Sequence, residues 1–93
     1  VVAPWMLASH YAPGKPVRLN AAGFEADEFG IGFGGLAGDY QLSADGDAVE
    51  AAARLFDALH AGAASAKPRI AVAAIPDAGL GAAINDRLAR AAV

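Results

Sequence analysis

The last third of the chain, from Lys67 to Val93, admits few folds. It opens K-P-R-I-A-V-A-A-I-P, and from Ile70 to Ile75 no polar residue interrupts the apolar run. A run of that kind suits a strand covered on both faces, as in a parallel sheet. Pro76 ends it, and D-A-G-L-G follows as a turn with glycines at 79 and 81. From there the apolar residues fall four apart, at Leu80, Ile84 and Leu88, with Ala91 and Ala92 beyond. That spacing predicts a helix with one buried stripe. Asp86 and Arg90 stand four apart on its outer side, in the favourable acid-first order. Strand, glycine turn and returning helix are half of an α/β unit, so the remaining chain should supply partner strands and a second covering layer.

Residues 17–64 contain candidates for both. Val17 and Leu19 alternate with Arg18, which predicts a short strand over Val17–Asn20. The connection from Ala21 to Glu28 holds Glu25, Asp27 and Glu28, expected to be a solvated acidic loop or a short helical turn, with a full helix reduced or absent. Phe29, Ile31 and Phe33 alternate with Gly30, Gly32 and Gly34, which predicts a strand with one face bare of side chains, open to close approach by another segment. Tyr40–Leu42 is a third short strand. Asp47 is a good N-cap, with Glu50 three residues later, and opens a helix. Its expected buried stripe is Val49, Ala52, Ala53, Phe56, Leu59 and Ala63, with Glu50 and Arg54 paired outside and fraying expected in H-A-G-A-A-S-A. The element order is β, β, β, α, β, α. It predicts an α/β fold with a mostly parallel sheet of about four strands and two main helices.

Residues 1–16, V-V-A-P-W-M-L-A-S-H-Y-A-P-G-K-P, differ in kind. Three of the five prolines fall here, and each pushes the residue before it toward extended geometry. We expect an extended arm over residues 1–16 and a small domain over 17–93. Trp5, Met6, Leu7, His10 and Tyr11 make the arm too apolar and aromatic for a solvated tether. It should lie against something, either this domain or another.

Composition narrows the function classes. Ninety-three residues form one domain at most, and 26 of the 52 apolar residues are alanine, so the core is small. There is no cysteine, hence no disulfide and no thiolate metal site, which suits a reducing compartment; the expected location is the cytoplasm. No run approaches the ~20 apolar residues of a membrane span, and no signal peptide is evident. A first residue of Val, already inside the arm's pattern, reads as a piece of a longer protein. The net charge of −3 is uneven, because residues 25–57 hold eight acids and one base. With no concentrated basic face, direct nucleic-acid binding has little support.

Single motifs are mostly structural. G-L-G at 79–81 follows a strand and opens a helix, where an anion can bind, but it lacks the third glycine of a dinucleotide site. The glycines from 30 to 38 have no Gly-Lys-Ser/Thr after them and do not form a phosphate loop. His10 and His60 are fifty residues apart with no partner at ligand spacing, so no metal site is expected. Arg87 and Arg90 are expected to pair with local acids, or else to dock an acidic surface.

Three stretches taken together resemble one family. M-L-A-S-H-Y-A-P at 6–13, L-S-A-D-G-D-A-V-E-A-A-A-R-L-F at 42–56 and G-L-G-A-A-I-N-D-R-L-A-R-A-A at 79–92 occur in order and look like the C-terminal, "Sua-five" part of long-form L-threonylcarbamoyladenylate synthases, in the YrdC-related family. Trp5 stands where that family's pattern has glycine. The resemblance implies a Rossmann-like α/β sandwich acting as an accessory or gating module. It implies a YrdC-like catalytic domain N-terminal to the arm, using ATP (with Mg2+), bicarbonate and L-threonine to make threonylcarbamoyl-AMP and pyrophosphate, which feed tRNA modification. By their place in the motif, Tyr11 and His10 would reach the ATP in that domain. No catalytic residue is expected in this chain. Two other readings compete: a free-standing module binding a small anion or nucleotide at Gly79–Gly81, and an oligomerisation module with the strand at 29–34 as its sheet edge.

Overall fold

The structure, a computed structural model, describes residues 14–92. Its elements are β1 (Val17–Ala21), β2 (Glu28–Gly32), β3 (Tyr40–Gln41), α1 (Ala48–Ala64), β4 (Arg69–Ala73) and α2 (Leu80–Ala91). The strands form one sheet in the order β1-β4-β2-β3, and every pairing is parallel. The result is a small α/β fold, as the element order predicts, and a Rossmann-like sandwich, as the resemblance implies. Putting β4 at the centre explains its composition, since Ile70, Ala71, Val72 and Ala73 are all buried. The strand at 29–34 is not an edge, as the oligomerisation reading required. It lies between β4 and β3, and the edges are β1 and β3.

Both helices cover one face. α1 packs on β2, β3 and β4, α2 packs on β1, and the helices touch each other. A Cβ on Gly62 of α1 would stand 2.9 Å from Ile70 and 3.2 Å from Phe29, so a glycine here lets the helix settle closely onto the central strands. Ile70, Phe29 and, by strand alternation, Ile31 and Val72 therefore face the helices. Gly30 and Ala71, opposite each other in the register, face the other way.

That second face has no helix. The chain returns from the end of β1 to the start of β2 through residues 22–27, past the β4 position between them. A parallel connection usually takes a dozen residues or more. Six suffice here, at up to roughly 3.3 Å per residue, even with bends at 22–23 and a turn that the Glu28 N–H closes onto the Glu25 carbonyl at 3.1 Å. Phe24 anchors it: a Cβ on Gly30 would lie 2.6 Å from the Phe24 ring. Gly30 is thus the seat for this loop, while a Cβ on Gly32 would meet Gln41 and the backbone of Leu36 and Gly38. The predicted solvation of the acidic loop fails at one residue. Glu25 and Asp27 are exposed, but Glu28 is only 1% exposed, because it starts β2 beneath this layer.

α1 begins as predicted, with the Asp47 carboxylate accepting from the Val49 N–H at 2.9 Å. It does not fray in the 60s but runs to Ala64. Its buried stripe is also turned. Ala51, Leu55, Ala58, Leu59 and Gly62 face the sheet, while Val49 is 68% and Phe56 37% exposed, and Ala53 is exposed too. An alanine-rich helix offers two apolar stripes of similar strength. The one with Leu55, Leu59 and the contact-permitting Gly62 takes the core. On α2 the stripe is as expected at Ile84, Leu88 and Ala91, but Leu80 is 43% exposed. Glu50–Arg54 and Asp86–Arg90 pair at 3.4 and 3.3 Å on the outer sides. No helix among the described residues is long and apolar enough to cross a membrane.

Candidate functional site at the root of the arm

Gly14, the first described residue, is exposed and in the left-handed region at φ 80°. Glycine takes that conformation without strain. The next residue fixes the direction. Lys15 Nζ donates to the carbonyls of Gly62 and Ser65 at 2.8 and 2.7 Å, at the C-terminal end of α1. Helix C-termini carry partial negative charge and unpaired carbonyls, and α1 has no basic residue in its own last turn. Lys15 supplies from the arm what the helix lacks. One residue later the Pro16 carbonyl accepts from the Ile70 N–H at 2.9 Å, ahead of the β1–β4 ladder. The root is therefore held by a helix end and by the central strand.

A charged network stands beside it, at the edge where the parallel strands start and on the face away from the helices. Arg18 Nε and Nη2 donate to the two carboxylate oxygens of Glu28 at 2.9 and 2.8 Å. Arg18 also reaches the Gly23 carbonyl at 2.9 Å, and the Glu25 N–H donates to Glu28 at 2.8 Å. Arg69, opposite Glu28 in the register, lies 3.7 Å from the same carboxylate and pairs bidentately with Asp27. Lys67 Nζ donates to the carbonyls of Ala26 and Glu28. The Arg18 bonds, aided by the Glu25 N–H, hold the Glu28 carboxyl down at about 2. Arg69 lowers Asp27 likewise, and the two guanidiniums are pushed up by their carboxylate partners. These groups are all committed to one another. They fasten loop 22–27 and β1, and they offer no nucleophile, base or free anion site.

The opposite edge holds the G-L-G turn. Gly79 has φ 56°, no side chain caps α2, and a Cβ on Gly81 would overlap the Pro76 carbonyl oxygen. The turn's glycines serve close packing of helix start against strand end, and Asn85 Nδ2 donates to the Ile75 carbonyl at 2.9 Å beside it. His10 and Tyr11 lie outside the described residues. His60 is on α1 with its ring 6.2 Å from that of Phe56, and Arg87 stands 5.5 Å over the Phe56 ring. Of the arginine pair only Arg90 has the expected acidic partner. Among the described residues no three His, Cys, Asp or Glu side chains gather as metal ligands would.

The family model for the threonylcarbamoyl-AMP synthase C-terminal domain matches residues 1–93, arm included. The chain belongs to that family. No curated protein and no solved structure matches it. Sequence reasoning found the family through the arm and the two helices, but in this threonylcarbamoyl-AMP synthase domain it missed Lys15, which ties the root to α1, and Glu28, which fastens loop 22–27 to β1. Their partners lie 47 and 10 residues away. For Glu28 the only sequence signal was an arginine alternating with Val17 and Leu19.

Proposed function

We propose that this domain is the accessory, gating part of a threonylcarbamoyl-AMP synthase, and that it holds an arm whose tip acts in another domain. The arm spans residues 1–16 and the holding body 17–93. The catalytic domain, YrdC-like and joined ahead of the arm, binds ATP with Mg2+, takes bicarbonate and L-threonine, and forms threonylcarbamoyl-AMP and pyrophosphate for tRNA modification. Tyr11 and His10 reach the nucleotide there. The body itself performs no reaction.

The observation that carries this reading is the Lys15 clamp on α1. Tyr11 is four residues ahead of Lys15, so its reach from a fixed point is about 13 Å. A tip on so short a leash is positioned by the body. Carbamate and adenylate intermediates hydrolyse readily, and a closing segment excludes the water that would destroy them. Proline fixes the backbone of such a segment in advance and reduces the entropy lost on closure.

Replacing Tyr11 with Ala in the protein that includes the catalytic domain is expected to lower turnover about tenfold or more, on the order of 1.4 kcal/mol in the barrier. Hydrolytic loss of the adenylate should rise with it. Steady-state pyrophosphate release measures the first and product partitioning the second. Unchanged values for both would remove the arm from the reaction.

A further inference from the structure

The turned stripe of α1 leaves apolar side chains facing outward, and α2 does the same beside it. Ala52, Leu55 and Phe56 of α1 and Leu80, Ala83 and Ile84 of α2 line a groove of about 340 Å³, with Arg87 at its edge. That volume is at the low end of sites for small ligands. Phe56 and Leu80 are large side chains that would gain by cover.

We propose that the Trp5-Met6-Leu7 segment of the arm seats in this groove, parking the arm along the helix layer of its own domain.

The arm suits the groove in chemistry. Residues 1–14 contain no Asp, Glu, Lys or Arg, and their largest apolar side chains are adjacent at Trp5, Met6 and Leu7. An aromatic residue of that size buries about 150–250 Å². Arg87, already stacked over Phe56, presents a guanidinium of the kind that also packs on an indole face.

Geometry allows it as well. The root is fixed at the Gly62–Ser65 end of α1. The groove begins at Phe56, about two helical turns up the same helix, roughly 9–14 Å along its axis. Seven residues lie between Leu7 and Lys15, so the segment can extend about 25 Å. The distance is covered with slack. Tethering also puts the segment at an effective concentration of about millimolar, which an untethered partner does not have. A second copy of the chain is the weaker occupant. Val49, Phe56 and Leu80 are the exposed large apolar residues among those described, far short of the ~800 Å² per partner of a stable interface. The proposal is independent of what Tyr11 does in the catalytic domain, since it concerns the 93-residue chain alone.

Trp5 is the sole tryptophan, so its fluorescence reports this contact directly. In the 93-residue chain we expect blue-shifted emission and acrylamide quenching several-fold weaker than for a free indole. Leu80→Lys and Ala83→Lys, both at exposed positions, should shift the emission to the red and restore quenching, with far-UV circular dichroism unchanged. Should either variant fail to fold, nuclear Overhauser contacts between the indole and the Leu80 and Ile84 methyls of the unaltered chain give the same answer. The proposal is overturned by solvent-like Trp5 emission in the unaltered chain, by emission indifferent to folded groove variants, or by absence of those contacts. A blue shift that grows with protein concentration alongside a sedimenting dimer would assign the groove to a second copy and overturn it too.

Discussion

Glu28 shows how one carboxylate can hold a loop that has no secondary structure. It is buried at the strand start, and both of its oxygens receive Arg18. Its folded-state value of about 2 lies below the ordinary 4.5. A lowered folded value means that the ion pair's contribution is complete above about pH 4.5 and is lost as pH falls toward 2. Urea midpoints should therefore drop across that window, and Glu28→Gln should flatten the drop. At pH 7 the same substitution should cost about 1–2 kcal/mol, because the glutamine amide keeps one oxygen for the Glu25 N–H but turns its NH2 group toward a guanidinium donor, while the half-exposed Arg18 and Arg69 can turn to water. Lys15 is the second residue of this kind. Lys15→Met should cost about 1 kcal/mol in a urea titration, the worth of a cation at a helix C-terminus with its hydrogen bonds. Amide exchange should rise at Ser65 and at Ile70, next to the root. Neither residue announces its role in the sequence, because each depends on a partner that only the fold brings near.

At the scale of elements the glycines decide the packing. Gly81 lies in the first turn of α2, and in a free helix alanine would be better there by roughly 1 kcal/mol. Here a methyl group would overlap the Pro76 carbonyl, which is backbone and cannot swing aside. Gly81→Ala should destabilise by about 1–3 kcal/mol despite the gain in propensity. Gly35→Ala, where the space is open, should be near neutral in the same thermal or urea melt. Elements themselves were largely legible in the sequence. The strand period at 29–33, the Asp47 cap and the four-residue spacing from Leu80 each placed an element within a few residues. The phase of α1 was not legible. Alanines on most sides of that helix let Val49 and Phe56 look like core, and the choice was made by Ile70 and Phe29 pressing against Gly62. The same limit hid the groove, which exists only because the discarded stripe stayed apolar.

The whole molecule is a parallel sheet with helices on one face and a fastened loop on the other. Its arm is rooted at the edge where the strands begin. The G-L-G turn lies at the opposite edge, so an anion bound there would be far from the arm's root. This separation sets the competing readings apart. The family was legible in the sequence because the arm motif and both helix motifs occur in order. Of the candidate site the sequence showed the Gly14-Lys15-Pro16 stretch but not the clamp, because that joins Lys15 to a helix end 47 residues away. The most direct test is an ATP titration of the chain joined to a YrdC-like catalytic domain, followed by the amide resonances of selectively labelled residues. Shifts at His10 and Tyr11, with Gly79 and Gly81 unmoved, are the predicted result. Shifts at Gly79 and Gly81 with the arm unmoved would contradict it and make this domain a nucleotide-binding module in its own right.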